Sequence, residues 1–232
     1  MKKTLIFSAT YNEVNNIEEL ISEIKKSCNY ADILIVDDNS PDGTGVLLKK
    51  IEKENNQLRV IIREGKLGLD TAHKYAYDYA IKNDYDYLIT MDADLSHNPK
   101  EIPIFLENVH DNDFVLGSRY MTGGKNKLNF FRFILSFIAN KVIKYLLNLK
   151  CSEFTSSFRA FNLKKMKNFQ IERIHSKGYS FFMETIYQIN KQGFNIIEIP
   201  IIFEVRLHGE SKIPKIEIFR TVLNIFRLYI SK

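Results

Sequence analysis

The sequence predicts an α/β fold: a mostly parallel sheet, Rossmann-like, with helices on both faces. Two patterns carry this prediction. Short apolar, partly β-branched runs bounded by polar turns alternate with stretches whose apolar residues recur at helical spacing. That alternation marks βαβ units, whose sheets are covered on both faces. In such sheets ligands bind beyond the carboxyl ends of the strands. The acid-bearing motifs of the first half all stand at such ends.

The predicted strands are Leu5–Ala9, Ile33–Val36, Val60–Ile62, Tyr87–Met91 and Phe114–Leu116. Between them, Asn15–Lys26 repeats Ile17, Leu20, Ile21 and Ile24 on one helical face. Thr44 is placed to cap a helix over Gly45–Glu54, and Asp70–Lys82 and Lys100–Val109 complete the set. After residue 120 the pattern changes. Thr122-Gly123-Gly124 reads as a flexible loop and Asn129–Leu149 as a long helix. Arg132, Ser136, Asn140, Lys144 and Asn148 stand four apart on it. Four residues advance about 400°, so they form one drifting polar stripe. The rest of that helix is apolar, and a helix apolar around most of its girth is either buried or lying on a membrane. No stretch reaches the roughly 18 clean apolar residues of a membrane span. A helix over Ser180–Gln192, a strand over Ile196–Phe203 and an amphipathic helix over Lys215–Tyr229 follow.

The 232 residues are 45% hydrophobic and 26% charged, which excludes disordered, collagen-like and low-complexity classes. Two cysteines, Cys28 and Cys151, give no disulfide framework, so a reducing compartment is expected. Met1–Leu5 is too polar to open a signal peptide. The net charge of +5 is unevenly spread. Residues 1–111 hold 13 basic and 20 acidic residues, whereas residues 112–232 hold 20 and 8. An acidic front half suits a cation, and a basic back half suits an anionic partner: phosphate, lipid headgroup or nucleic acid.

Asp92-Ala93-Asp94 follows the strand Tyr87–Met91. Two carboxylates one residue apart at a strand end can hold a hard divalent cation. Mg²⁺ takes one or two protein carboxylates and completes its shell with substrate phosphate and water. Asp37 and Asp38 close an earlier strand, where carboxylates accept hydrogen bonds from a ribose or base. Asp42 and Thr44, just beyond, are read as building the turn and starting a helix.

Taken together, the segments resemble a known family. Thr10-Tyr11-Asn12-Glu13, Asp37-Asp38-Asn39-Ser40-Pro41-Asp42-Gly43-Thr44, Lys66-Leu67-Gly68-Leu69, Asp92-Ala93-Asp94-Leu95-Ser96-His97 and Gly117-Ser118-Arg119-Tyr120 occur in this order. They resemble the dolichol-phosphate (polyprenol-phosphate) mannosyltransferases, family-two inverting glycosyltransferases of GT-A fold. Later segments agree. Arg132 with Ser136 and Asn140 resembles the family's acceptor helix. Thr155-Ser156-Ser157-Phe158-Arg159 resembles its T-G-S-F-R segment, and Arg206-Leu207-His208-Gly209-Glu210-Ser211-Lys212 its R-x-x-G-x-S-K loop. The likeness covers about residues 4 to 213. Ala9, Asp70, His73, Glu153 and Ser156 depart from the family's usual residues.

The resemblance implies a single GT-A domain over residues 1–232. Residues 1–120 would form the nucleotide-sugar-binding half, and 121–232 the acceptor-binding, membrane-facing half. It implies transfer of mannose from GDP-mannose to a polyprenyl or dolichyl monophosphate, with inversion and with Mg²⁺ or Mn²⁺. Thr10, Tyr11, Glu13, Asp37, Asp38, Lys66 and Asp92 would serve the donor. Asp92, Asp94 and Ser96 would serve the metal. Arg119, Arg132, Ser136, Arg206 and Lys212 would hold the acceptor phosphate. Asp92, Asp94, Arg119 and Arg132 would carry the chemistry. The expected location is cytoplasmic, peripheral on the cytosolic face of a membrane, where small membrane subunits could join it. UDP-glucose or another nucleotide sugar is the alternative donor. A receiver-type signalling domain also pairs acids with a lysine, but needs only about 120 residues and leaves the basic half without a role. The phenylalanines lie in apolar helices rather than among surface Lys and Arg, so no nucleic-acid partner is expected. His97 reads as a surface residue or as one standing behind the metal ligands, and both cysteines as structural.

Overall fold

The computed structural model describes residues 2–127, 130–205 and 216–230, with the backbone alone at 130–132, 135 and 216–219. The first half alternates as expected: β1 (Thr4–Thr10), α1 (Ile17–Ser27), β2 (Asp32–Asp37), α2 (Thr44–Lys53), β3 (Leu58–Ile62), α3 (Leu69–Lys82), β4 (Tyr87–Thr90), α4 (Ile102–Asp111) and β5 (Phe114–Ser118). Then come β6 (Lys125–Asn126), α5 (Phe130–Leu147), β7 (Arg159–Asn162), α6 (Ser180–Lys191), β8 (Ile196–Pro200), β9 (Ile202–Phe203) and α7 (Ile216–Ile230).

Seven strands form one sheet in the order β3-β2-β1-β4-β7-β5-β8, and β6 pairs with β9 in a small ribbon. Only β7 runs against its sheet neighbours, β4 and β5. The carboxyl ends of β1 to β5 and the amino end of β7 therefore share one edge. The register shows it: Thr10 lies beside Asp37, Asp37 beside Ile62, and Thr90 beside Arg159.

The strands alternate their side chains between two apolar layers, as the two-residue period requires. Ile6, Ile33, Ile35 and Ile89 pack with Ile17, Leu20 and Ile24 of α1, Leu48 of α2 and Phe105 of α4. On the other face, Leu5, Phe7, Leu34 and Leu88 pack with Ala72 and Ala76 of α3, Phe182 and Ile186 of α6, Ile143 of α5 and Leu228 of α7. Helix α1 illustrates the local logic: its buried face is the Ile17-Leu20-Ile21-Ile24 stripe, with Glu18 and Glu19 in the first turn and Lys25 and Lys26 in the last. Those charges complement the helix dipole.

Four expectations change. The strand over Ile196–Phe203 is split, because Pro200 has no N–H to continue the ladder and the chain turns to join β6. Strand β7 was not foreseen, since an arginine opens its four residues. Thr44 is the first residue of α2 rather than its cap. Gly43, at φ +92°, precedes it, and Asp42 Oδ1 accepts from the Thr44 N–H (3.0 Å) and hydroxyl (2.6 Å). Within the polar stripe of α5, Ser136 and Asn140 turn inward. Ser136 takes the Tyr120 hydroxyl (2.6 Å), Asn140 Oδ1 accepts from the Phe154 N–H (2.7 Å), and Lys144 donates to the Lys150 carbonyl (2.8 Å). Ile138, Val142 and Tyr145 are left exposed, as are Leu223, Phe226 and Ile230 of α7. Helix α7 packs on α5 and α6, and its Arg227 is paired with the buried Glu184 at 2.6 Å.

Candidate active site

At the β1–β2 edge the acids have distinct duties. Asp37 is fully buried. Its carboxylate accepts from the Thr10 hydroxyl (2.9 Å), the Ser40 hydroxyl (2.5 Å) and the Ser40 N–H (3.0 Å). Asp37 and Thr10 thus shape the loop through their own hydrogen bonds, at the edge where the sequence expects the donor. A buried carboxylate must be satisfied by its own chain. Asp38, also buried, ties two other segments together. It is ion-paired with Arg63 and accepts from the Gly68 N–H at 3.0 Å. Gly68 has φ +97°, a conformation that favours glycine. Arg63 also donates to Thr71 Oγ1 (2.5 Å) and the Gly68 carbonyl (3.0 Å), fastening the Lys66-Leu67-Gly68 loop. Lys66 Nζ lies 3.9 Å over the Tyr11 ring. Glu13 is buried. Its carbonyl accepts from Asn16 and Ile17, and its carboxylate from the Asn16 amide (2.7 Å), so it organises the start of α1.

The D-x-D loop leaves β4 beside the amino end of β7. Asp92 is partly open, its side chain 37% exposed, and its Oδ1 accepts from the Ser157 hydroxyl at 2.5 Å. Asp94 is buried, and its Oδ1 accepts from the Ser96 N–H (3.1 Å) and hydroxyl (2.6 Å). Ser96 donates its proton to Asp94 and so orients that carboxylate, and its hydroxyl oxygen keeps lone pairs of its own. Among the described residues no cluster of three His, Cys, Asp or Glu forms a closed metal cage. Two oxygen-bearing carboxylates at an open edge fit Mg²⁺ or Mn²⁺, which complete their shells with phosphate and water. His97 is buried, and burial holds its ring below the usual imidazole range despite Asp92 and Asp94 nearby.

Arg119 leaves β5 at the same edge, but it is not a free cation. It is 9% exposed, and its Nε donates to Glu153 at 2.7 Å and its NH2 to Thr155 Oγ1 at 2.8 Å. Burial alone would lower the guanidinium pKa, and the Glu153 carboxylate reverses this. Burial would likewise raise Glu153, and Arg119 holds it below the usual carboxylate range. Arg119 is thus held in a buried ion pair with Glu153, at the edge where the sequence expects the acceptor phosphate. Ser136 is likewise engaged, with the Tyr120 hydroxyl. The side chain of Arg132, and all of Arg206 and Lys212, lie outside the described residues. The cysteines are free and buried, and burial pushes the Cys151 thiol up to about 12. Sequence reasoning missed Arg63, though its place just after β3 was a signal. It gave Ser157 and Thr155 no separate role, and their partners come from strands distant in sequence.

One edge therefore carries the Asp38–Arg63 ion pair, a two-carboxylate loop and the buried Arg119–Glu153 pair. The family pattern of "Glycosyl transferase family 2" matches residues 6–169. The chain belongs to glycosyl transferase family 2. This glycosyltransferase is 33% identical over 214 residues to the polyprenol monophosphomannose synthase of Mycolicibacterium smegmatis, covering 91% of this chain and 81% of that protein. It is 32% identical over 227 residues to the undecaprenyl-phosphate mannosyltransferase of Micrococcus luteus, covering 97% and 93%. Among solved structures, glucosyl-3-phosphoglycerate synthase from Mycobacterium tuberculosis, in complex with phosphoglyceric acid, has the same fold. Its TM-score is 0.67 at 17% identity, covering 99% of this chain and 79% of that one. A mannosyltransferase from Pyrobaculum calidifontis in complex with GDP-Man and Mn²⁺ gives 0.60 at 15% identity, covering 98% and 69%.

Proposed function

We propose that this glycosyltransferase moves mannose from GDP-mannose to a polyprenyl or dolichyl monophosphate, inverting the anomeric carbon. The observation that carries the reaction is the D-x-D loop, whose two carboxylates share one sheet edge with the Asp38–Arg63 ion pair. The substrate class rests on two relatives, about a third identical over nearly the whole chain, that are named for polyprenol-phosphate mannosylation.

In this reading, residues 1–120 bind the nucleotide sugar. Asp38 accepts hydrogen bonds from the nucleoside beside Tyr11, while Asp37, Thr10 and Glu13 hold the loops in place. Lys66 offsets the diphosphate charge. Asp92 and Asp94 would hold Mg²⁺ or Mn²⁺, which as a Lewis acid stabilises charge developing on the leaving diphosphate. The Mn²⁺ and GDP-Man of the Pyrobaculum enzyme support that choice. A phosphate monoester has its second pKa near 6, so the acceptor is mostly a dianion at pH 7 and requires no general base. Its oxygen bonds to the anomeric carbon as the bond to the β-phosphate breaks, and nucleoside diphosphate leaves. The obstacle is repulsion between two phosphate-bearing substrates. Arg132, Arg206 and Lys212 offset it and orient the nucleophile, with Arg119 and Ser136 fixing the adjacent frame.

The acceptor is lipid-bound, so residues 121–232 face a membrane. The exposed apolar side chains of α5 and α7, with Lys141 and Arg220 among them, form the contact. Among the described residues no helix is long and apolar enough to cross a bilayer. In this reading the α5–α7 face meets the cytosolic side of the membrane, directly or through a small membrane subunit on the same surface. A panel of GDP- and UDP-sugars with a short polyprenyl phosphate tests the whole reading. Transfer from GDP-mannose supports it. Transfer only from UDP-glucose moves the chain to the sister activity, and transfer from none overturns it.

A further inference from the structure

His97 follows the D-x-D by three residues and is fully buried. Its Nδ1 accepts a hydrogen bond from the Asp92 backbone N–H at 3.1 Å. A neutral imidazole carries one N–H and one acceptor nitrogen, so an accepting Nδ1 places the proton on Nε2. That Nε2 is buried with no hydrogen-bond partner among the described residues. The ring lies between Phe158, at 5.1 Å, and Phe203, at 5.4 Å edge-on. A phenylalanine would fill this aromatic box without leaving a donor unpaired. What histidine adds is the acceptor for Asp92.

The same residue reaches β9. His97 and Phe203 form an antiparallel bridge, and the Glu204 N–H donates to the Ser96 carbonyl at 2.9 Å. The Arg119 guanidinium lies 4.6 Å over the Phe203 ring. The D-x-D loop and β9 are thus stitched to each other through one side chain and two backbone contacts, and Arg206 is only three residues beyond Phe203 in sequence.

We propose that His97 is a positioning residue of the transfer reaction. Through the Asp92 backbone it sets the direction of the D-x-D carboxylates, and through Phe203 it ties that loop to β9. The proposal rests on the D-x-D reading above, and its test separates the two. Nitrogen-15 NMR of histidine-labelled wild-type protein at pH 7 reads the tautomer, with His97→Asn giving the assignment. The Nε2–H form is expected; an Nδ1–H form overturns the contact whatever the metal does.

The second arm titrates Mn²⁺ alone, followed by electron paramagnetic resonance, with a thermal melt of each variant as the folding control. His97→Phe keeps the ring and loses the acceptor, so Mn²⁺ binding should weaken about tenfold or more, the usual penalty for losing a partner behind a metal ligand. His97→Asn puts an amide oxygen near the Nδ1 position and should stay within about threefold of wild type on the same scale. A His97→Phe variant that binds Mn²⁺ like wild type overturns the proposal, as does a His97→Asn variant as weak as His97→Phe. A wild-type chain that ignores Mn²⁺ but shows the Nε2–H tautomer overturns the metal reading and upholds the His97–Asp92 contact.

Discussion

The strand-end edge and the α5–α7 face follow opposite rules. At the edge, polar side chains are buried and answer one another: Asp37 with Thr10 and Ser40, Asp94 with Ser96, Arg119 with Glu153 and Thr155. On the helical face, apolar side chains stand in the open while Ser136, Asn140 and Arg227 turn inward. The difference has a physical reason. Charges aimed at a reacting centre must be oriented before substrate arrives, and burial makes orientation mandatory because each unpaired group is penalised. An exposed apolar face needs no internal partners, but patches of that kind mark surfaces that meet another apolar phase.

The largest effect should come from breaking the edge at the buried carboxylate of its D-x-D loop. Asp94→Ala removes a proposed metal ligand, and transfer should fall at least about a thousandfold, roughly 4 kcal/mol of barrier. The thermal melt should hardly move, because the loop lies beyond the sheet. Full turnover in this variant, or in EDTA, would end the metal reading. Arg119→Ala should behave in the reverse way. It strands the Glu153 carboxylate, which is fully buried, and breaking such a pair costs about 3 kcal/mol or more of stability. A melt unchanged by Arg119→Ala would show that the pair is not structural.

The contrast between these two variants also shows what could be read from the chain alone. The alternation of apolar runs and helical stripes located β1 to β5 and α1 to α4, because each pattern is local. The D-x-D and Asp38 were legible because a strand end in an open parallel sheet is a place of known use. Arg119 was legible as important, but its partner was not: Glu153 lies 34 residues away, and no periodicity connects them. Strand β7 escaped for the same reason, since its place between β4 and β5 is a tertiary fact. The inward turn of Ser136 and Asn140 depended on Tyr120 and Phe154, neither of which lies on the helix.

Next in size is the helical face. Ile138→Ser with Phe226→Ser removes two exposed apolar side chains, each contributing about 1.5–3 kcal/mol when fully buried. Co-sedimentation with anionic liposomes should drop by about a hundredfold, a loss of roughly 3 kcal/mol, while turnover of a short, soluble acceptor is spared. Binding should also weaken with salt. A wild-type chain that ignores liposomes of every composition would assign this face to a protein subunit. On the edge, Asp38→Ala should raise the donor KM about tenfold, near 1.4 kcal/mol, and leave the acceptor KM alone. A shift confined to the acceptor would mean the two ends of the site are reversed.

The smallest effect lies just before α4, at Glu101. Its Oε1 accepts from the Ile202 N–H at 2.9 Å, and its buried Oε2 has no hydrogen-bond partner among the described residues. Burial first, and the nearby Glu204 second, push its carboxyl up from 4.5 to about 7. The folded chain therefore keeps a proton that the unfolded chain has released between pH 4.5 and 7, so stability falls as pH rises across that window. The full shift would set a ceiling of about 3 kcal/mol; with partial solvent access the expected penalty is about 1 kcal/mol at pH 8. Glu101→Gln retains an acceptor for Ile202 and discards the charge. It should raise the melting temperature by about 2–4 °C at pH 8 and leave it unchanged at pH 4.5. An equal gain at both pH values would trace the effect to packing, and a loss at pH 8 would show that the charged form is the one the fold prefers.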